Sequence, residues 1–184
     1  GPILMASCGS IQLNGDWRTA DRSSAGMAPD PTLTREAIIQ VYAARAFNWR
    51  GIFAVHSWIS IKPKDAKQYT VHQVMGWNRY RKLPVVVPNP EVPDRSWYGA
   101  RPELIAEIRG DAAETAIPKL EQAIREYPYQ YNYVLWPGPN SNTFTAHVAR
   151  SVPELKLDLQ PTAIGKDYLP NGRLVASTPS GTGF

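Results

Sequence analysis

The chain has 184 residues, 43% of them hydrophobic and 20% charged, with a net charge of +4 and a pI near 9.2. That length and balance give one substantial core and exclude intrinsic disorder and a collagen-like repeat. The single cysteine, Cys8, excludes an intrachain disulfide framework and any cysteine-rich metal site.

Taken in chain order, Gly1-Pro2 looks like the remnant of a cleaved tag. Ile3 to Ser10 resembles the end of a lipoprotein signal or the tail of a membrane anchor, and either places the domain on a membrane surface of the bacterial envelope, facing the periplasm; the alternative is an apolar N-terminus packed on the core. Three regions are predicted: an N-terminal arm over 1–33, one folded domain over 34–170, and a C-terminal loop over 171–184. The arm is rich in Gly, Ser, Asp and Pro and has little periodicity.

From Ala37 the pattern becomes β-branched and apolar. Ile38 to Ala46 is predicted as a strand that turns at Trp49-Arg50-Gly51 into a second over Gly51 to Ile61. Alternation puts Phe53, Val55, Ser57, Ile59 and Ile61 on one face of this second strand, and Ala54, His56, Trp58 and Ser60 on the other. A third strand is expected over Tyr69 to Trp77. The basic and aromatic run Trp77 to Lys82 follows, and reads either as a site for anionic groups or as a solvated β-turn; no nucleic-acid partner is expected from it. The proline-rich stretch Val85 to Pro102 is predicted as an extended edge or loop, and Leu104 to Arg109 as a strand. Asp111 and Glu114 resemble a capping box ahead of a helix running to Tyr127, which Pro118 either starts or kinks. Tyr131 to Trp136 is aromatic and apolar and is broken by Pro137-Gly138-Pro139. A second helix then opens with Asn140 as cap and Phe144, Val148 and Ala149 on its buried side. There is no internal repeat and no complete membrane-spanning run.

The first turn of that second helix holds the strongest candidate for chemistry. Unpaired N–H groups and the positive dipole end stabilise an alkoxide and the oxyanion formed after attack, and Ser141 stands there. A serine needs a base, itself held in one tautomer. His56 is the candidate base, with His72 or Gln73 as its orienter and Asp167 as a more distant one; His147 lies six residues past Ser141, on the far side of the helix. Trp58, Asn140, Asn142, Trp136 and Lys166 complete the candidate substrate contacts. Each has a plainer reading as a core, capping or ion-paired residue. Gly165-Lys166-Asp167 lacks the glycine spacing of a phosphate loop, so no nucleotide is expected; no cofactor and no metal are expected either.

The stretch YNYVLWPGPNSNTF over Tyr131 to Phe144 resembles the N-C-x-T-F segment that carries the catalytic cysteine of permuted papain-like enzymes, among them PPPDE peptidases, lecithin retinol acyltransferase relatives and NlpC-type amidases. Ser141 takes the cysteine's place, and His56-Ser57-Trp58-Ile59-Ser60 is similar to their histidine strand. AVHSWI, PGPNSNTF and TAIGKDYLP together resemble an uncharacterised bacterial envelope family over about residues 24 to 183, whose members look longer than this chain. The resemblance implies an α+β, permuted papain-like fold, with a small antiparallel sheet packed against two helices. It also implies a membrane-associated serine hydrolase or acyltransferase acting on an amide or ester of a lipid, lipoprotein or peptidoglycan-derived substrate. Serine for cysteine removes the easily formed thiolate. The alternative is therefore a catalytically inactive module that binds cell-wall or lipid ligands, or an envelope protein whose Arg79, Arg81 and Lys82 surface holds anionic lipid.

Overall fold

Pairing of the β-branched segments sets the frame. The computed structural model describes residues 21–45 and 54–169. The anchor-like N-terminus with Cys8, the Trp49-Arg50-Gly51 turn, Phe53 and the 171–184 loop lie outside the described residues. The described elements are strands β1 (Ile38–Arg45), β2 (Val55–Lys62), β3 (Thr70–Val74), β4 (Val86–Pro90) and β5 (Glu103–Arg109), and helices α1 (Asp111–Arg125) and α2 (Ser141–Ser151). The strands form one antiparallel sheet in the order β4-β3-β2-β1-β5, with Tyr42 opposite Trp58 and Ile59 opposite His72. This is the α+β class with a small antiparallel sheet. The edge strand β4 accommodates Pro88 and Pro90, which an inner strand would reject.

Three local expectations change. The third strand stops at Val74, and Gly76–Arg81 winds into a 3-10 helix rather than a turn. Lys82 ends that helix in the left-handed region, and Asn78 closes it by donating from Nδ2 to the Pro84 carbonyl. Helix α1 is capped by Gly110 at φ 67 rather than by Asp111; Asp111 and Glu114 sit in its first turn, where they suit the dipole. Pro118 lies inside one continuous helix. Its missing N–H costs about 3 kcal/mol, but burial of Ala113, Ala116, Ile117, Leu120, Ala123 and Ile124 outweighs it at about 1.5–3 kcal/mol for each large side chain.

The sheet is covered on both faces. Ile39, Val41, Ile59, Ile61 and Val74 point to one face and pack against α1 and against Phe144, Val148 and Ala149 of α2. Tyr42, Ala44, Trp58 and Val71 point to the other, under Trp97, Met27, Tyr98 and Ala100. That second cover consists of the N-terminal arm and the loop after β4. Buried Asp94 clamps them together: its carboxylate accepts from Ser24 Oγ (2.9 Å), Met27 N (2.6 Å) and Ala28 N (3.1 Å). The Ala25 amide donates to the Asp94 carbonyl at 2.9 Å.

Replacing that buried carboxylate leaves the Ser24 hydroxyl and the part-buried Met27 and Ala28 amides without their acceptor. Asp94→Ala is expected to lower stability by about 2–4 kcal/mol, with Met27 and Ala28 amide protons exchanging much faster in hydrogen–deuterium exchange. Unchanged protection at these amides would show that the arm is held by other contacts.

Candidate functional site

The three motif stretches meet at one point. Asn140, in extended conformation before α2, accepts on Oδ1 from the Asn142 and Thr143 amides at 3.0 and 3.2 Å and donates from Nδ2 to the carbonyls of Leu135 (3.0 Å) and Ile164 (2.9 Å). Thr143 Oγ1 accepts from the Asn140 amide and donates to the Gly165 carbonyl at 2.7 Å, completing a capping box. Asn142 reaches the sheet: Nδ2 donates to the carbonyls of Val55 and Ile164, and Oδ1 accepts from Ser57 Oγ at 2.8 Å. The Val55 amide donates in turn to the Thr162 carbonyl. Gly165, at φ +90, lies so close that a Cβ there would sit 2.4 Å from Asn140 Nδ2. A glycine is required on both counts.

This node occupies every donor of the Asn140 and Asn142 side chains, both of which are buried. In this arrangement the two side chains hold the fold together, the capping reading rather than the substrate-contact one. The node also occupies the helix N-terminus, since the Asn142 and Thr143 amides are capped by Asn140 Oδ1 and the Phe144 amide donates to the Asn140 carbonyl. Few donors are left for an oxyanion.

Ser141 starts α2 as the sequence predicts. It is 7% exposed, and its hydroxyl has no hydrogen-bond partner among the described residues. The pairing with His56 is not formed, and the reason is strand alternation. Ser57, on the helix face of β2, bonds Asn142 and Thr145. His56 therefore points to the opposite face, where its ring stacks on Trp97 at 4.0 Å and on Trp58 at 5.7 Å. Its Nε2 is shut in without a partner. Burial first, and the Arg95 guanidinium second, push the His56 pKa down to about 3. Such a ring is a weak base held away from the hydroxyl.

The remaining candidates scatter. His72 and Gln73 point to opposite faces as expected, but neither hydrogen bonds to His56, and Gln73 Nε2 and His72 Nδ1 are both buried without a partner. Burial lowers the His72 pKa to about 4. Trp58 is a core residue whose Nε1 donates to the Pro93 carbonyl. Lys166 pairs with Asp167 at 2.6 Å, the plainer of its two readings, and Asp167 does not orient His56. His147 ties α2 to α1 through the Ala123 carbonyl at 3.0 Å.

Trp136 alone among the aromatic candidates is open, at 72% exposure, and it belongs to a surface that the spacing of motifs did not reveal. The loop 131–136 lies against the 3-10 helix Gly76–Arg81: the Tyr133 ring covers Gly76, where a Cβ would be 2.7 Å from it, and Arg79 donates from Nη1 to the Tyr133 carbonyl. Six of the ten large exposed apolar side chains among the described residues stand on these two segments, Trp77, Tyr80, Tyr131, Val134, Leu135 and Trp136, and Leu83 follows just after the first. Arg81 and Lys82 are exposed among them. No acidic residue occurs between Asp65 and Glu91 or between Glu126 and Glu154. The exposed apolar residues are distant in sequence, and it is the contacts of Tyr133 with Gly76 and Arg79 that show they form one patch.

A family model described as "Protein of unknown function (DUF3750)" matches residues 36–168. The chain belongs to the DUF3750 family. No curated protein and no solved structure matches it. The DUF3750 match takes in the sheet, both helices, the node and the aromatic surface, whereas the arm residues latched to Asp94 precede it. No helix among the described residues is long and apolar enough to cross a membrane.

Two outcomes test this geometry. Gly165→Ala forces a left-handed alanine into the Asn140 amide and is expected to cost at least about 2 kcal/mol in urea unfolding; a neutral effect would mean that the node does not hold the helix start. Both His56 and His72 titrate below the ordinary 6.5 when folded, so the stability they hold is full above that pH and falls as pH drops from about 6.5 toward their folded values. NMR titration should find the His56 ring neutral down to about pH 4, and an inflection near 6.5 would contradict its burial.

Proposed function

We propose that this DUF3750 chain is a binding module of the bacterial envelope that docks peripherally on an anionic membrane surface, without acyl-transfer chemistry. The observation that carries this reading is the aromatic and basic patch built from the 3-10 helix and the 131–136 loop. Trp and Tyr suit the headgroup layer because an apolar ring ends in a polar tip. Arg81 and Lys82 face outward among them, with no acid on either segment to repel an anionic lipid. Each cation near such a surface contributes about 1 kcal/mol, screened by salt over roughly 10 Å. The non-catalytic part of the reading is supported by the His56 ring lying on the far face of the sheet from α2.

Sedimentation with vesicles is the test. Wild type is expected to bind phosphatidylglycerol-containing vesicles at low salt and to release at high salt. Arg81→Glu with Lys82→Glu should weaken binding roughly tenfold or more, and Trp136→Ala should weaken it at any salt. Equal binding to neutral and anionic vesicles, or retention by the charge-reversed variant, would refute the reading.

A further inference from the structure

On the helix side of the sheet a cleft of about 410 Å³ opens between the β3–β4 edge and the second half of α1. Its walls are apolar, from Val86, Pro88 and Ile124, and its volume is in the range of small-molecule sites. Two opposite charges line it. Glu121 and Arg125 are one helical turn apart on α1, the spacing at which such residues pair, yet neither forms an ion pair or hydrogen bond among the described residues. His72 also lines the cleft; its imidazole makes no hydrogen bond, and its Nδ1 is buried without one. Gln130, at the rim, is fixed by donating from Nε2 to the Ile124 carbonyl at 2.8 Å. The cleft thus has a stiff apolar wall, an unmatched carboxylate, an unmatched guanidinium and an imidazole with hydrogen-bonding capacity to spare.

We propose that this cleft binds a small zwitterion, a molecule carrying a primary ammonium and an anionic group on a short backbone, with Glu121 taking the ammonium and Arg125 the anion. One charge alone gains little at a partly solvated site. Two matched charges on one ligand engage both side chains for a single loss of translational freedom, and the second contact is effectively intramolecular. Arg125 presents a planar fork that fits a carboxylate or a phosphate. The neutral His72 ring, with its pKa down at about 4, offers a hydrogen bond without adding repulsion toward the ammonium. Phosphoethanolamine and a free amino acid share this chemistry. The inference stands apart from the membrane reading, because it uses none of the residues of the exposed aromatic patch.

The test is calorimetry and NMR on the whole chain in solution, without vesicles, using phosphoethanolamine, L-alanine, phosphocholine, and ethanolamine or inorganic phosphate alone. Saturable binding of phosphoethanolamine or alanine is expected, with shifts at the His72 ring and the Gln130 side-chain amide, and weaker binding of phosphocholine, which lacks ammonium N–H donors. Binding of phosphoethanolamine only would assign a lipid headgroup, and of alanine only, a free amino acid. Glu121→Gln and Arg125→Gln should each weaken binding by about tenfold or more, the loss of one charge-assisted hydrogen bond, with melting temperature unchanged because both side chains are exposed. The proposal is overturned if neither zwitterion gives saturable shifts at His72, or if affinity survives both substitutions. Vesicle binding is measured separately, so either reading fails without the other.

Discussion

Asn142 is the residue on which the arrangement depends. Through one side chain it fastens the start of α2 to the first strand residue of β2 and to the turn at Ile164. Asn140 and Thr143 add the cap and the Gly165 carbonyl, so four separated pieces of chain share one buried hydrogen-bond network. In a dry site each bond is strengthened, and each group left unpaired costs about 1–3 kcal/mol. Such a network tolerates little change. It therefore fixes where α2 begins, how deep Phe144 and Val148 sit on the sheet, and where Ser141 is presented.

The same constraint separates the two residues that a catalytic reading needs together. Ser57 must face α2 to reach Asn142 and Thr145, so strand alternation turns His56 to the other side. There it packs between aromatic rings beneath the arm latched by Asp94. The helix N-terminus, a natural place for an oxyanion, is capped from within. The features that face solvent are instead the patch around Trp77, Tyr80 and Trp136 and the cleft beside α1. The proposed reading as a binding module rests on these exposed groups.

Much of the architecture was legible in the amino-acid order because local signals agreed. The β-branched run at Ile38, the two faces of β2, the Asn140 cap and the buried stripe of α2 all followed from period and capping. The motifs drew attention to residues that meet in one hydrogen-bond network, but what each side chain bonds was not readable. A capping asparagine and a substrate-binding asparagine look alike until the partners of Nδ2 are known. The alternation that put Ser57 and His56 on opposite faces was itself visible; what was hidden was which face α2 covers. Tertiary packing also overrode two local signals, carrying α1 through Pro118 and curling Gly76–Arg81 into a 3-10 helix where a turn was expected. The aromatic patch was hidden because it joins residues about fifty positions apart, through the contacts of Tyr133 with Gly76 and Arg79.

The most direct test of the central claim is whether Ser141 behaves as an activated nucleophile. Wild type, Ser141→Ala and His56→Ala would be exposed to a fluorophosphonate probe and read by intact mass and peptide mapping, beside a serine hydrolase control. The account predicts no adduct on Ser141 while the control is fully labelled. Stoichiometric labelling of Ser141 that disappears in His56→Ala would contradict it, because the two residues would then have to work on the same side of the sheet.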